Sequence, residues 1–266
     1  MITKTNQTSI SWIESSGIGL TVGSADVFVN HSLWALTARI QAKLTFTLNP
    51  LILYKGFFVH LISSAPLDAL QVTMSHLIIQ KVLPNRLDET IKRIAGGFFG
   101  GCSAALISCP AEMLMVWQQK NMGFKQALKA VCKESPLHLY TGFTPMVIRE
   151  GLFCAGFFSF VPYFRGLFQS RGIKKTEATL LAGILSGAIT AIISQPFDTV
   201  KTVIQASEKK TQLRQVVKHL IKEDGVKGLF KGLSYRTTRV ISTIVILGSL
   251  NIYLEEKLYE YKESQK

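Results

Sequence analysis

SQPFDTVKTVIQ, residues 194–205, decides the reading of the chain. An apolar run long enough to approach a membrane span is interrupted by Pro196. An acid, Asp198, follows two residues later, and a base, Lys201, three after that. Proline inside a helix removes one backbone hydrogen bond and bends the axis. An acid and a base three apart lie on one helix face. Charges inside a bilayer cost about 2.5–3.5 kcal/mol each, so they face a water-filled interior and pair. The triplet therefore predicts partners on other helices.

Composition extends this to the whole chain. Of 266 residues, 18% are charged, against about a quarter in soluble domains. Six windows approach the roughly 20 apolar residues a bilayer requires. They are 10–31, 57–80, 94–119, 143–164, 178–204 and 234–254. The first is the most polar, with Glu14 and Asp26. The net charge of +13 resides mostly in the connectors, without interleaved aromatic residues. That favours anionic lipid headgroups over nucleic acid. Cys102, Cys109, Cys132 and Cys154 form no CxxC pair, and the histidines form no HExxH, so no metal site or disulfide framework is indicated. The polar start, MITKTNQTSI, lacks the features of a cleavable signal.

The pattern recurs. CPAEMLMVWQQ carries Pro110 and Glu112, 86 residues before Pro196 and Asp198 (196 − 110). A further step of the same length reaches Ser24 and Asp26, with Val29 at the base position. LYKG, LYTG and LFKG place Gly56, Gly142 and Gly232 downstream of the three positions. Small pairs precede them: Ser11/Ser15, Gly97/Gly101 and Gly183/Gly187, spaced for close helix packing in lipid. GGFFGG (96–101) lies inside a span with no following Lys-Ser/Thr, so it is not read as a phosphate loop. Each unit reads as helix, amphipathic connector, helix, giving repeats over 1–80, 81–168 and 169–266. The three connectors within repeats carry the larger positive excess and are expected to face the interior compartment.

PFDTVK followed by EDGVKGLFKG (223–232) resembles the signature of the mitochondrial carrier family. The resemblance implies an all-α membrane protein with six transmembrane helices in three repeats around a pseudo-threefold axis, with three short surface helices. It implies alternating-access exchange of metabolites across the mitochondrial inner membrane by a multi-pass monomer. In the family each acid pairs with the base of the next repeat. Glu112 is then expected to meet Lys201, while Asp26 faces Met115 and Asp198 faces Val29, leaving one bridge of three. On this reading Met115→Lys would strengthen the gate. Glutamines that brace such a ring are Gln119 and Gln205, with Leu33 in the first repeat. The second gate is reduced to YLEEK (253–257).

Positions seven residues past the connector glycines coincide with the family's substrate contacts: Ser63, Arg149 and Arg239. Guanidinium groups at midplane favour a carboxylate or phosphate. Glu150 adds the opposite charge and resembles carriers of amphoteric compounds. Arg236, one turn before Arg239, favours a nucleotide. The expected substrate is thus an adenine nucleotide such as ATP or ADP, or an amino-acid-like compound. The alternative is a uniporter or leak, or a non-transporting carrier that serves as a scaffold. No nucleophile–base pair or cofactor loop suggests an enzyme. Expected partners are a small-molecule substrate and membrane lipid, with cardiolipin at Gly56, Gly142 and Gly232.

Overall fold

The computed structural model describes residues 12–84, 86–207 and 211–264. Ser11 lies outside the described residues, as does the side chain of Ser15. The fold is helical throughout, with no strand among the described residues. Six long helices dominate: α1 (Trp12–Gln41), α3 (Phe57–Leu77), α4 (Glu89–Gln119), α6 (Phe143–Gln169), α7 (Lys175–Ala206) and α9 (Leu233–Ser264). Between them lie three short ones: α2 (Pro50–Leu53), α5 (Phe124–Val131) and α8 (Leu213–Asp224). Packing runs α1 on α3, α3 on α4, α4 on α6, α6 on α7, α7 on α9 and α9 back on α1, so the bundle closes as a ring.

Local chemistry sets the helix starts. Asp88 accepts from Thr90 N at 2.7 Å to begin α4, and Asn49 accepts from Leu51 N at 3.0 Å to begin α2. Gly56, Gly142 and Gly232 stand just before α3, α6 and α9 with φ of 91°, 80° and 78°, which L side chains rarely adopt. The short helices bury one face each. Ala127 and Val131 of α5 pack on Met113 and Trp117, and Val216 and Leu220 of α8 pack on Val200 and Ile204.

The outer surface is apolar where a soluble protein would be polar. Leu20, Phe28, Phe58, Ile62, Phe99, Leu106, Ile192 and Ile193 are all exposed. By length and composition, α4, α7 and the stretches containing α6 and α9 can cross a membrane. The first two long helices do not meet that measure: α1 contains Asp26, His31 and Arg39, and α3 contains His60 and Asp68.

Small residues allow the close approaches. A methyl group on Gly97 would lie 2.9 Å from Cys154 O, and one on Gly101 would press on Glu150 O, so α4 and α6 meet backbone to backbone. Gly183 and Gly187 instead receive the side chains of Ile244 and Val240 from α9. Pro110 and Pro196 sit inside α4 and α7 without ending either. Pro110 cannot donate to Leu106 O, and Tyr140 Oη donates to that carbonyl instead at 3.3 Å.

The first helix corrects the sequence register. It runs to Gln41, ten residues beyond the expected end of the first span at 31. Gly56 packs on Met115, Gly142 on Lys201 and Gln205, and Gly232 on Thr37. Tyr54 Oη donates to Phe28 O at 2.8 Å, as Tyr140 does to Leu106 O. Both pairings place α1 residues 78 before their α4 counterparts (115 − 37 and 106 − 28), not 86. The counterparts of Pro110, Glu112, Met115 and Gln119 are therefore Ser32, Trp34, Thr37 and Gln41. Ser24, Asp26, Val29 and Leu33 stand about two turns too early. The physical reason is a shorter first connector. It holds a helix of 4 residues where the others hold 8 and 12.

Candidate functional site: a charged network at one end of the ring

The inner ends of α1, α4 and α7 converge on a buried polar network. Glu112 of α4 is its centre. One carboxylate oxygen accepts from Lys201 Nζ, and the other from Arg149 Nη2 at 2.9 Å. The same Arg149 nitrogen also donates to Glu150, and lies 3.1 Å from Met146 Sδ. Asp198 of α7 is 5% exposed. It accepts from Gln41 Nε2 at 2.7 Å and stands 3.5 Å from Lys201 Nζ. Arg149 Nε approaches it at 3.7 Å and Arg236 Nη1 at 4.0 Å. Such groups are tolerated in a buried place only when paired and hydrogen-bonded.

The three corresponding pairs around the ring differ in chemistry. Glu112 and Lys201 form an ion pair. Trp34 and Met115 occupy the matching places between α1 and α4 and belong to one apolar cluster with Leu53. Asp198 faces an α1 that offers Thr37 and Gln41. Asp26 does not face Met115; it accepts from Asn30 Nδ2 at 2.7 Å, which also bonds Thr243 Oγ1 at 3.2 Å. Asp198 does not stand unpaired opposite Val29, because three cations and an amide surround it.

The glutamines brace the helix ends. Gln119 Nε2 donates to Leu53 O at 3.1 Å and Lys55 O at 2.8 Å, and Gln205 Nε2 reaches Cys109 O at 3.5 Å. Gln41, rather than Leu33, completes the set. Two further caps link neighbours: Arg39 Nη1 donates to Gln119 O at 2.7 Å, and Trp117 Nε1 to Gln205 O at 2.8 Å. An arginine at a helix C-terminus also opposes the helix dipole. None of Arg39, Gln41, Trp34 or Thr37 was singled out from sequence. The signal was available, since SLWALTARIQ (32–41) matches PFDTVKTVIQ in helix-end position and final glutamine.

Residues 174–261 match the family described as Mitochondrial carrier protein. Aligned relatives agree over more of the chain. Mitochondrial 2-oxodicarboxylate carrier 1 of Saccharomyces cerevisiae is 28% identical over 204 residues, 71% of this chain and 66% of the relative. Mitochondrial substrate carrier family protein S of Dictyostelium discoideum is 27% identical over 253 residues, 83% and 88% of the two chains. Probable S-adenosylmethionine carrier 2, chloroplastic, of Arabidopsis thaliana is 28% identical over 199 residues, 69% and 56%. These matches support membership of the mitochondrial carrier family. Carriers of this family are membrane transporters.

Beyond the network, the carrier bundle holds a second set of polar residues. Ser63 is half-buried and donates to His60 O at 3.1 Å within its own helix. Arg149 is paired with Glu112 and Glu150, so it is not a free contact. Arg236 is 2% exposed and is held by Gln195 Oε1 at 3.1 Å and Ser194 Oγ at 2.8 Å. Arg239 is half-buried and has neither a carboxylate nor a hydrogen-bond acceptor bound to it among the described residues. It lies in electrostatic range of Arg236, His31 and His60. Asp68 of α3, also missed from sequence, is open to water and in electrostatic range of Glu150 and Asp26. Of the YLEEK stretch, the side chain of Glu255 lies outside the described residues.

The carrier connectors carry one more ionic contact. Lys43, just past α1, pairs with Glu223 of α8 and stands 3.8 Å from Asp224. The Lys43 hydrogen bond holds the Glu223 carboxyl below its usual range, and that of Lys231, at 2.7 Å, does the same for Asp224. Beside this contact lies a cavity of about 480 Å³, lined by Gln41, Lys43, Val203, Gln215 and His219.

Proposed function

We propose that this carrier moves a small anionic or amphoteric solute across the mitochondrial inner membrane by alternating access. The observation that carries the reading is Arg239. Among the described residues it is a half-buried arginine without a bound acceptor, whereas the buried Arg39, Arg149, Lys201 and Arg236 are engaged. A guanidinium held that way has donors to offer a carboxylate or phosphate. Asp68 supplies an acidic group in electrostatic range of both Asp26 and Glu150. A solute bearing both signs would satisfy the two sets together. The names of the relatives point to 2-oxodicarboxylates and S-adenosylmethionine. Adenine nucleotides and amino-acid-like compounds remain in the class by charge.

In this reading the six long helices are six spans in three repeats, 1–80, 81–168 and 169–266, around a pseudo-threefold axis. Glu112, Asp198, Lys201, Gln119 and Gln205, with Trp34, Thr37 and Gln41, form the matrix-side gate. Ser63, Arg149, Glu150, Arg236 and Arg239 form the substrate region. Cardiolipin binds near Gly56, Gly142 and Gly232, and the carrier works as a monomer.

The test is uptake into proteoliposomes. Labelled ATP, ADP, 2-oxoglutarate, S-adenosylmethionine and a panel of amino acids are offered, with and without internal solute. Uptake of one class that falls at least tenfold in Arg239→Ala is the expected result. Uptake of none, by a folded protein, would overturn the transport reading. A second reading, uniport or leak, is favoured by the apolar Trp34–Met115 contact, which stands where an ion pair could hold the gate. Uptake that ignores internal solute would select it.

A further inference from the structure

The first connector differs from the other two in what it shows to its surroundings. α5 presents Lys125 and Lys129, and α8 presents Arg214, Lys218 and Lys222, all exposed. Residues 44–54, LTFTLNPLILY, hold no charged side chain. A lysine stands at either end, and both are engaged by the other connectors. Lys43 pairs with Glu223, and Lys55 Nζ donates to Asn121 Oδ1 at 2.7 Å and to its backbone oxygen at 3.1 Å. What the segment exposes is apolar: Phe46 at 58%, Leu48 at 69% and Leu51 at 80%. Facing water, such a cluster would invite association. The backbone behind it is held from the protein side. Arg39 Nε and Nη2 donate to Thr45 O at 3.0 and 2.7 Å, Asn49 N donates to Thr47 Oγ1 at 3.1 Å, and Gln119 Nε2 donates to Leu53 O. A loop needs its polar groups met in this way before it can lie against hydrocarbon. The cluster also runs on into the apolar exterior of the bundle. The Tyr54 ring lies 5.8 Å from that of Phe28, and Phe28 and Phe58 are both exposed.

Resting on the transport reading, we propose that the first connector is an apolar membrane anchor. Phe46, Leu48 and Leu51 enter the boundary between headgroups and acyl chains, on the connector side of the bundle. The partner is the acyl layer itself and not an anionic headgroup. The segment has no cation with which to hold a phosphate, and three large apolar side chains with which to displace water. The second and third connectors, with exposed cations above a buried apolar face, take the headgroup role. Any anionic lipid beside Gly56 would have to draw its charge contacts from those neighbours. The attachment of the first connector is therefore indifferent to the surface charge of the membrane and to ionic strength.

The test places a reporter on the anchor. Leu48→Trp, in the full-length protein, is reconstituted into neutral phosphatidylcholine vesicles, and the emission of the wild type is subtracted. Phosphatidylcholine brominated near the top of its acyl chains should quench the added emission by about half. The quenching should not change when anionic lipid or salt is added. Ile192→Trp, on the exposed face of α7, is the control for the membrane reading itself. A folded Ile192→Trp protein that no brominated lipid quenches would overturn the transport reading, apart from the anchor. With Ile192→Trp quenched, three results would overturn the anchor. One is emission at position 48 that iodide in the water quenches and brominated lipid does not. Another is quenching that appears only with anionic lipid, which is headgroup recognition. The third is emission shielded from both quenchers, which is a second copy seated on the cluster. Should Leu48→Trp fail to fold, Phe46→Trp exchanges one ring for another and carries the same readout.

Discussion

At the scale of single residues, the contact between Trp34 and Met115 reverses an expectation. Read from sequence, Met115 stands opposite Asp26, and a lysine there would complete an ion pair. In the structure Met115 is 1% exposed and packs with Trp34, Ala35, Leu36 and Leu53. Met115→Lys alone therefore buries a charge among apolar groups. It should cost about 3 kcal/mol or more and lower the melting temperature by several degrees. Pairing it with Trp34→Asp should recover part of the loss, because an acid then stands in the matching place. Thermal melting of the two variants beside the wild type checks both statements. The Glu112–Lys201 contact was legible because both partners lie beside prolines at a matching spacing. Asp198 was legible as an acid of the network but not in its partners. Arg149 and Arg236 reach it from other helices, and no local spacing encodes that.

At the scale of elements, the connectors explain what sequence spacing could not. The glycine landmarks keep the spacing of 86 between Gly56 and Gly142, so the same step looked valid for the helix before them (142 − 56). It fails because the first connector is shorter and α1 is correspondingly extended at its C-terminal end. Two features do the work of the missing helix turns. Arg39 ties α1 to the end of α4, and Lys43 ties it to α8. The second tie has a definite pH dependence. Glu223 and Asp224 have carboxyls held below the ordinary range, so their contribution is present above that range and lost as pH falls through it. Melting of the purified protein between pH 7 and about pH 4 should show this loss. Lys43→Met should flatten the Glu223 part of it, while the Asp224 part, held by Lys231, persists. A profile that Lys43→Met leaves unchanged would rule out the tie.

At the scale of the whole molecule, the closed order of packing and the apolar exterior are what the proposed six-crossing arrangement calls for. Only part of that was legible with equal strength. The four apolar helices declare themselves by composition, whereas α1 and α3 carry ionisable groups and read as weaker spans. The six-span reading sets the sidedness of every connector. Lys133, after α5, and Arg171, between α6 and α7, are both exposed and should lie on opposite faces. Single cysteines at these two positions, in proteoliposomes of one orientation, should react with a membrane-impermeant maleimide from opposite sides. Labelling of both from the same side would require an odd number of crossings to be missing between them.

The mixed ring has a thermodynamic consequence. Its three seams are built from different materials: one oily, one saline, and one borrowed from arginines. Salt reaches buried ion pairs only weakly, whereas cooling weakens apolar contact. Temperature would therefore loosen one third of the ring ahead of the other two. A carrier with three equal seams parts like an iris. This one would swing like a door, with the hinge at whichever seam the conditions favour.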